Sequence, residues 1–220
     1  MPRRTLLFAL VHPFAFAVRA TRRFIGSGRS AARSKLDIAQ WTPELLKRLE
    51  WRRFEELCAA YFEALGFSAR VIRSAAGGGA DLALCAAGSD TVSIIAHCKP
   101  WDAYRVGIKP VRDLYGAMTA AGVAEGVLIT SARFTQEAVA FAAKHSIELV
   151  DGASLLANLS GLVPEKSAAL LRLATQGDFL TPTCPSCAIK MEPRISIQGG
   201  RKFWGCVNYP RCKQTLFASN

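Results

Sequence analysis

Two strand-length apolar runs set close together restrict the fold of this chain more than any other feature. Asp81-Leu82-Ala83-Leu84-Cys85 and the run from Thr91 to Lys99 flank Ala87-Gly88-Ser89-Asp90, which has turn composition. A hairpin is the expected result. Alternation along the second run puts Ile95, His97 and Lys99 on one face, and Val92, Ile94, Ala96 and Cys98 on the other. An aspartate opens the first strand and a lysine closes the second, so antiparallel pairing brings Asp81 and Lys99 to the same end of the sheet.

The flanking segments extend this hairpin into a layered domain. Thr42-Pro43-Glu44 reads as a helix start, with Thr42 as cap and Pro43 in the first turn. From Trp51 to Leu65, Phe54, Leu57, Cys58, Tyr61, Phe62 and Leu65 recur at helical spacing, and Gly66 closes the helix. At about 100° per residue, Glu56 and Glu63 point away from the apolar stripe, while Glu55 falls at its margin beside Phe62. Glu55 is thus the carboxylate expected to be held against the domain, with a boundary ion pair as its plainer role. Ser68 to Arg73 reads as the first strand. Gly77-Gly78-Gly79 permits positive φ but has no helix after it, which argues against a dinucleotide fingerprint. Downstream, Pro110 opens a helix with Val111, Leu114, Tyr115 and Met118 inward. Gly126 to Thr130 is a buried strand, and Thr135 to His145 a helix with Ala138, Phe141 and Ala142 inward. Ile147 to Val150 is a further strand, followed by a helix from Ser154. Strands alternating with helices after an initial hairpin predict an α/β fold, a mixed sheet flanked by helices.

Charge is unevenly distributed. The formal net charge is +11, and Lys plus Arg against Asp plus Glu is 10 to 3 over residues 1–50, 10 to 11 over 51–163 and 8 to 3 over 164–220. The neutral middle and basic ends point to a polyanion such as DNA, or an anionic membrane surface, as the partner of the ends. The other reading of the tails is solubility alone. Residues 6–18 are apolar and flanked by Arg3, Arg4, Arg19, Arg22 and Arg23, but the run is short for a span and contains Pro13. It reads as a membrane-surface or short anchoring helix, against an arm that is mobile or packs on the core.

From about residue 181 the composition changes abruptly. Four of the seven cysteines occur as Cys184-x2-Cys187 and Cys206-x5-Cys212. Two pairs on two knuckles give the closed S₄ set of a structural zinc site, and a segment of about 37 residues with few large aliphatics needs such a staple. A disulfide pair or an iron centre is the alternative for the same ligands. The clustering favours metal over disulfides and therefore a reducing compartment, the cytoplasm, with inner-membrane association if the arm anchors. Cys58, Cys85 and Cys98 read as buried small hydrophobes. Lys190, Arg194, Arg201, Lys202, Arg211 and Lys213 interleave with Phe203, Trp204, Tyr209 and Phe217, a pattern suited to single-stranded or distorted DNA. Trp101, Tyr104, Arg105 and Lys109 after the second strand of the hairpin suit a phosphate backbone or ordinary loop packing. The expected organisation is an arm over 1–40, a globular α/β domain over 41–160, a linker over 161–180 and a ribbon over 181–220. A homodimer is compatible with both domains, and nothing in the sequence decides it.

The chemistry implied by Asp81 and Lys99 is metal-assisted phosphodiester hydrolysis. A carboxylate holds a divalent cation, and an ammonium steadies the attacking water or the charge on phosphorus. Three scattered histidines argue against a hydrolase triad or a second metal site.

Residues from about 48 to 159 resemble the Mrr-like restriction endonucleases of the PD-(D/E)xK nuclease superfamily. The matching features are Phe54-Glu55, Leu65-Gly66-Phe67, Gly78-Gly79-Ala80-Asp81-Leu82, His97-Cys98-Lys99, Val111-Arg112-Asp113-Leu114-Tyr115-Gly116, Gly126-Val127-Leu128-Ile129-Thr130, Phe134-Thr135-x-x-Ala138 and Leu149-Val150-Asp151-Gly152. The tail, through Cys-Pro-Ser-Cys and the run Lys202 to Cys212, resembles the C4 zinc ribbon of type IA DNA topoisomerases. The resemblance implies a restriction-type or DNA-maintenance endonuclease. In it Asp81 holds Mg²⁺ or Mn²⁺, Lys99 is the catalytic lysine and Glu55 an auxiliary carboxylate, and the zinc ribbon grips DNA. His97 stands where the family has Gln or Glu, and imidazole suits Mn²⁺ or softer ions better than Mg²⁺. Three readings remain open: an active enzyme, one with a changed metal preference, and a DNA-binding adaptor, possibly membrane-tethered, that has kept the fold and lost the chemistry.

Overall fold

The computed structural model describes residues 39–73, 80–100, 105–197 and 199–217. The glycine run 77–79, the aromatics Trp101 and Tyr104 and the apolar stretch 6–18 lie outside the described residues. In chain order the elements are α1 (Pro43–Arg48), α2 (Trp51–Ala64), β1 (Phe67–Arg73), β2 (Ala80–Ala86), β3 (Val92–Lys99), β4 (Arg105–Val106), α3 (Ile108–Ala121), β5 (Glu125–Thr130), β6 (Arg133–Phe134), α4 (Gln136–Lys144), β7 (Ile147–Val150), α5 (Gly152–Gly161), α6 (Pro164–Thr175), β8 (Glu192–Ile195), β9 (Lys202–Gly205) and β10 (Thr215–Phe217).

Local chemistry explains the starts and stops. Thr42 caps α1, its hydroxyl accepting from the Leu45 N–H at 3.1 Å, with Pro43 in the first turn. Gly66, at φ 94°, lets the chain reverse from α2 into β1, and Gly122, at φ 65°, ends α3. Thr135 and Asp151 cap α4 and α5 through Ala138 N–H and Ser154 N–H.

The main sheet has the order β1-β2-β3-β5-β7. β1, β2 and β3 are antiparallel neighbours, and β3, β5 and β7 run parallel. The parallel strands are joined by crossovers through α3 and α4, as parallel pairing requires. The mixed sheet flanked by helices is therefore present. β3 is its middle strand, and five successive residues from Ile94 to Cys98 are buried. A strand covered on both faces shows a continuous run rather than alternating exposure.

The two faces have different covers. Ala83, Ile95, Leu128 and Ile147 pack with Val111, Leu114 and Met118 of α3 and Ala138 and Ala142 of α4. On the opposite face, Tyr61 of α2 is close enough to Glu148 of β7 to interact electrostatically. Phe54, Leu57, Phe62, Leu82 and Leu84 are fully buried, each contributing roughly 1.5–3 kcal/mol of transfer free energy. Tyr115 departs from the sequence reading. It is 40% exposed and stacks with Phe141 and His145 on the outer surface of α3 and α4, because Val111, Leu114 and Met118 already fill the inward stripe.

The segment between the sheet domain and the cysteine-rich tail is packed rather than extended. Lys166 of α6 donates to the Ala64 carbonyl at 2.6 Å, the Arg53 guanidinium donates to the Leu173 carbonyl, and Phe179 is buried. The tail forms a three-stranded antiparallel sheet in the order β10-β9-β8. Among the described residues no helix is long and apolar enough to cross a membrane.

Candidate active site and metal centre

Strand register assembles one candidate site at a single end of the main sheet. Asp81 is the cross-strand partner of His97, and Lys99 lies beside Thr130 on β5. Residues two apart on a strand share a face, so Asp81, His97 and Lys99 belong to the face carrying Ala83, Ile95 and Leu128, which α3 covers. His97 is 5% exposed and Lys99 half-buried. Glu55, 8% exposed, stands on α2, which covers the opposite face. Its height along the sheet follows from chain direction. α2 is roughly 21 Å long and β1 roughly 23 Å, and the tight turn at Gly66 makes them run back along one another. The beginning of α2 thus lies near the end of β1, at the same sheet end as Asp81 and Lys99.

Other residues at that end were not singled out by the sequence. Thr130 is fully buried, and its hydroxyl accepts from the Ala132 N–H at 3.2 Å, turning the chain as it leaves β5. Ser131 is buried beside it. Only the pairing of Lys99 with Thr130 reveals their position, and that pairing joins segments about thirty residues apart. Across the sheet, burial and then Glu125 push the Glu148 carboxyl above its usual range. Burial, then Glu148, push Tyr61 up to about 12. This pair sits with α2, away from the Asp81 face.

The four tail cysteines converge. The sulfurs of Cys184, Cys187, Cys206 and Cys212 all lie within 4.8 Å of one another, with Cys184 and Cys206 buried. The 3.7 Å separation of the Cys184 and Cys212 sulfurs is too long for a disulfide. It matches the roughly 3.8 Å edge of a tetrahedron of sulfurs around an ion bonded at about 2.3 Å. The four can hold a metal ion. Burial raises the Cys184 thiol, but the backbone N–H groups of Cys187 and Ser186 outweigh it and leave its pKa lowered, whereas burial pushes the Cys206 thiol up to about 12. Met191, Trp204 and Leu216 pack around the cluster. Trp204 therefore serves the ribbon's interior, whereas Tyr209 and Phe217 are exposed, and Arg194 lies 5.2 Å from the Tyr209 ring centre.

Glu50, which carried no signal in the sequence, ties the ribbon to the sheet domain. Its carboxylate accepts from the Thr183 N–H at 3.2 Å, the Thr183 hydroxyl at 2.9 Å and the Lys190 ammonium at 3.2 Å, and it caps α2 through the Arg52 N–H at 3.1 Å. The Trp51 indole N–H donates to the Thr183 carbonyl at 2.7 Å. A shallow cleft of about 220 Å³ follows this seam, lined by Arg52, Arg53, Glu56 and Lys190 among others.

The chain thus combines a mixed α/β sheet domain with a small ribbon whose four cysteines could hold a metal ion. A match to the Mrr catalytic family, described as restriction endonuclease, spans residues 46–159, and the chain belongs to that family. Over 52 residues it is 36% identical to DNA topoisomerase 1 of Mycoplasma pneumoniae, 24% of this chain and 7% of that enzyme. Solved structures similar to it include two restriction endonucleases. The DNA modification-dependent restriction endonuclease AspBHI has a TM-score of 0.42 at 19% identity, covering 69% of this chain and 45% of that one. The MspJI restriction endonuclease, solved with a 27-mer oligonucleotide, has a TM-score of 0.34 at 13% identity, covering 77% and 42%. The chain thus spans less than half of each of these proteins.

Proposed function

We propose that this chain is a metal-dependent DNA endonuclease of restriction or DNA-maintenance type, with a zinc ribbon that grips the substrate. The observation carrying this reading is the register that brings Asp81, His97 and Lys99 to one end of one sheet face, in a domain of a restriction endonuclease family. We assign residues 41–160 to the nuclease domain, 161–180 to the connection and 181–220 to the ribbon.

Asp81 is the metal ligand in this proposal, with His97 beside it. A carboxylate next to an imidazole fits a divalent ion that accepts nitrogen, which favours Mn²⁺ over Mg²⁺. When bound, the ion supplies positive charge to the phosphate under attack. Lys99 donates hydrogen bonds to the phosphate oxygens as charge builds on them and holds the attacking water in line. Glu55 is the auxiliary carboxylate in this reading, on the α2 side of the same sheet end. In the ribbon, four thiolates in a closed set favour zinc, and the exposed Tyr209 and Phe217 among basic residues suit stacking on bases.

Plasmid nicking and linearisation by the full chain, with Mg²⁺ and with Mn²⁺, tests this. Lys99→Ala and Asp81→Ala should each lower cleavage by at least about 100-fold, the scale of losing one electrostatic stabiliser. A wild-type protein that binds DNA but cuts neither plain nor methylated plasmid with either ion would end the enzyme reading. The adaptor reading, favoured by the buried imidazole of His97, would then take its place.

A further inference from the structure

β4 and β6 pair in parallel for only two residues each, Arg105 beside Arg133 and Val106 beside Phe134. Val106 is buried in the core under α3 and α4, and Phe134 packs against the same core. Arg105 and Arg133, one residue earlier on each strand, are exposed and project together from the other side. Paired strands lie about 4.8 Å apart, so two guanidinium groups start from neighbouring positions. Like charges in this arrangement repel. Neither arginine has an acidic partner among the described residues. Lys109 nearby differs, being paired with Asp113 at 3.0 Å.

The small sheet is held firmly. The Thr135 N–H donates to the Val106 carbonyl at 3.0 Å, and the Gly152 N–H to the Ala132 carbonyl at 3.0 Å. Arg133 follows Thr130 by three residues, at most about 11 Å of extended chain, and Thr130 is the register partner of Lys99. A fixed pair of cations, with no acidic partner among the described residues, therefore stands within a few nucleotides' length of the candidate site. Its natural complement is an anion that recurs at short spacing along a chain.

We propose that Arg105 and Arg133 form a clamp for the sugar–phosphate backbone of DNA beside the cleavage point, positioning the strand without reading its bases. The location of the clamp rests on the nuclease reading above, but its binding can be measured without cleavage. The test uses the full chain carrying Lys99→Ala and a short labelled DNA duplex, with Kd determined between about 50 and 200 mM salt. Adding Arg105→Ala and Arg133→Ala should weaken binding about tenfold or more at the lower salt. The same change should reduce the slope of log affinity against log salt by about 1 to 2. Arg105→Lys with Arg133→Lys should retain most of the slope, since charge alone sets it. An alanine pair that leaves both Kd and slope at the parent values, with an unchanged melting temperature, overturns the clamp. That result is separable from failure of the nuclease reading: wild-type cleavage with an unaltered slope removes the clamp alone. A lost slope without wild-type cleavage removes the enzyme alone.

Discussion

Replacing Glu50 should detach the ribbon from the nuclease body, and the cost can be worked from its contacts. The side chain is 3% exposed, and its two oxygens receive the Thr183 N–H, the Thr183 hydroxyl, the Arg52 N–H and the Lys190 ammonium. Glu50→Ala leaves the buried Thr183 N–H without its acceptor, a loss of about 1–3 kcal/mol. It also removes the α2 cap, about 1 kcal/mol more. Lys190 is 39% exposed and also bonds the Thr181 carbonyl, so water replaces most of its share. The total is about 3 kcal/mol, or roughly 6–12 °C in Tm for a body of this size. Glu50→Gln keeps one acceptor but turns an amide N–H₂ toward groups that themselves donate, and should cost about 1–2 kcal/mol. Urea and thermal unfolding measure both variants, and hydrogen exchange at the first turn of α2 reports the cap directly. A Glu50→Ala protein within about 0.5 kcal/mol of wild type, the range of ordinary surface changes, would refute the reasoning.

Two further outcomes follow from the metal cluster and from the buried carboxyl on β7. Removing the tail metal with a chelator, or one ligand by Cys206→Ser, should unfold the ribbon and leave the sheet domain folded, because about 10–16 kcal/mol of metal binding substitutes for the missing core. Metal content by elemental analysis, together with the near-ultraviolet signal of Trp204 at the cluster, checks it; a ribbon unchanged without metal contradicts it. Glu148 has its folded-state pKa raised, first by burial and then by Glu125. Its contribution is therefore complete below the ordinary carboxyl pKa and is lost as pH rises through the folded value. Glu148→Gln should flatten the fall in Tm across that window, and identical pH profiles for the two proteins would exclude the assignment.

The parts of this architecture legible in the sequence are those with local causes. The hairpin announced itself through two apolar runs and a turn, and the knuckles through cysteine spacing. Projection of α2 at helical angles put Glu55 at the margin of the buried stripe, where the structure holds it at 8% exposure. What escaped depends on distant pairing. The burial of both faces of β3 is decided by α2 on one side and α3 on the other, and periodicity within β3 cannot report that. Tyr115 has the spacing of a core residue, yet three neighbours fill the space. Arg105 and Arg133 are far apart in sequence and meet only because two short strands close over the sheet end. Glu50 looks like any helix-boundary glutamate until Thr183 arrives from the ribbon.

These distant pairings also explain how a marginal tail can matter to the candidate chemistry. The N-cap and first turn and a half of α2 carry Glu50 and Glu55, one facing the ribbon seam and the other held against the domain. Thr183, which Glu50 grips, immediately precedes the metal-site residue Cys184, whose own N–H is bonded to the Ile189 carbonyl at 2.8 Å. Any ion that orders the cysteine cluster therefore orders Thr183, and through it the start of the helix that positions Glu55. The coupling runs through the Glu50 carboxylate and through the Trp51 indole, which also bonds Thr183. A ribbon joined only by a flexible tether would add DNA affinity by raising local concentration. A ribbon locked through Glu50 instead fixes one geometry between its basic face and the Lys99 end of the sheet. Under the lock, cleavage should fall when Glu50 is replaced even at saturating DNA; under a tether, saturating DNA should restore it.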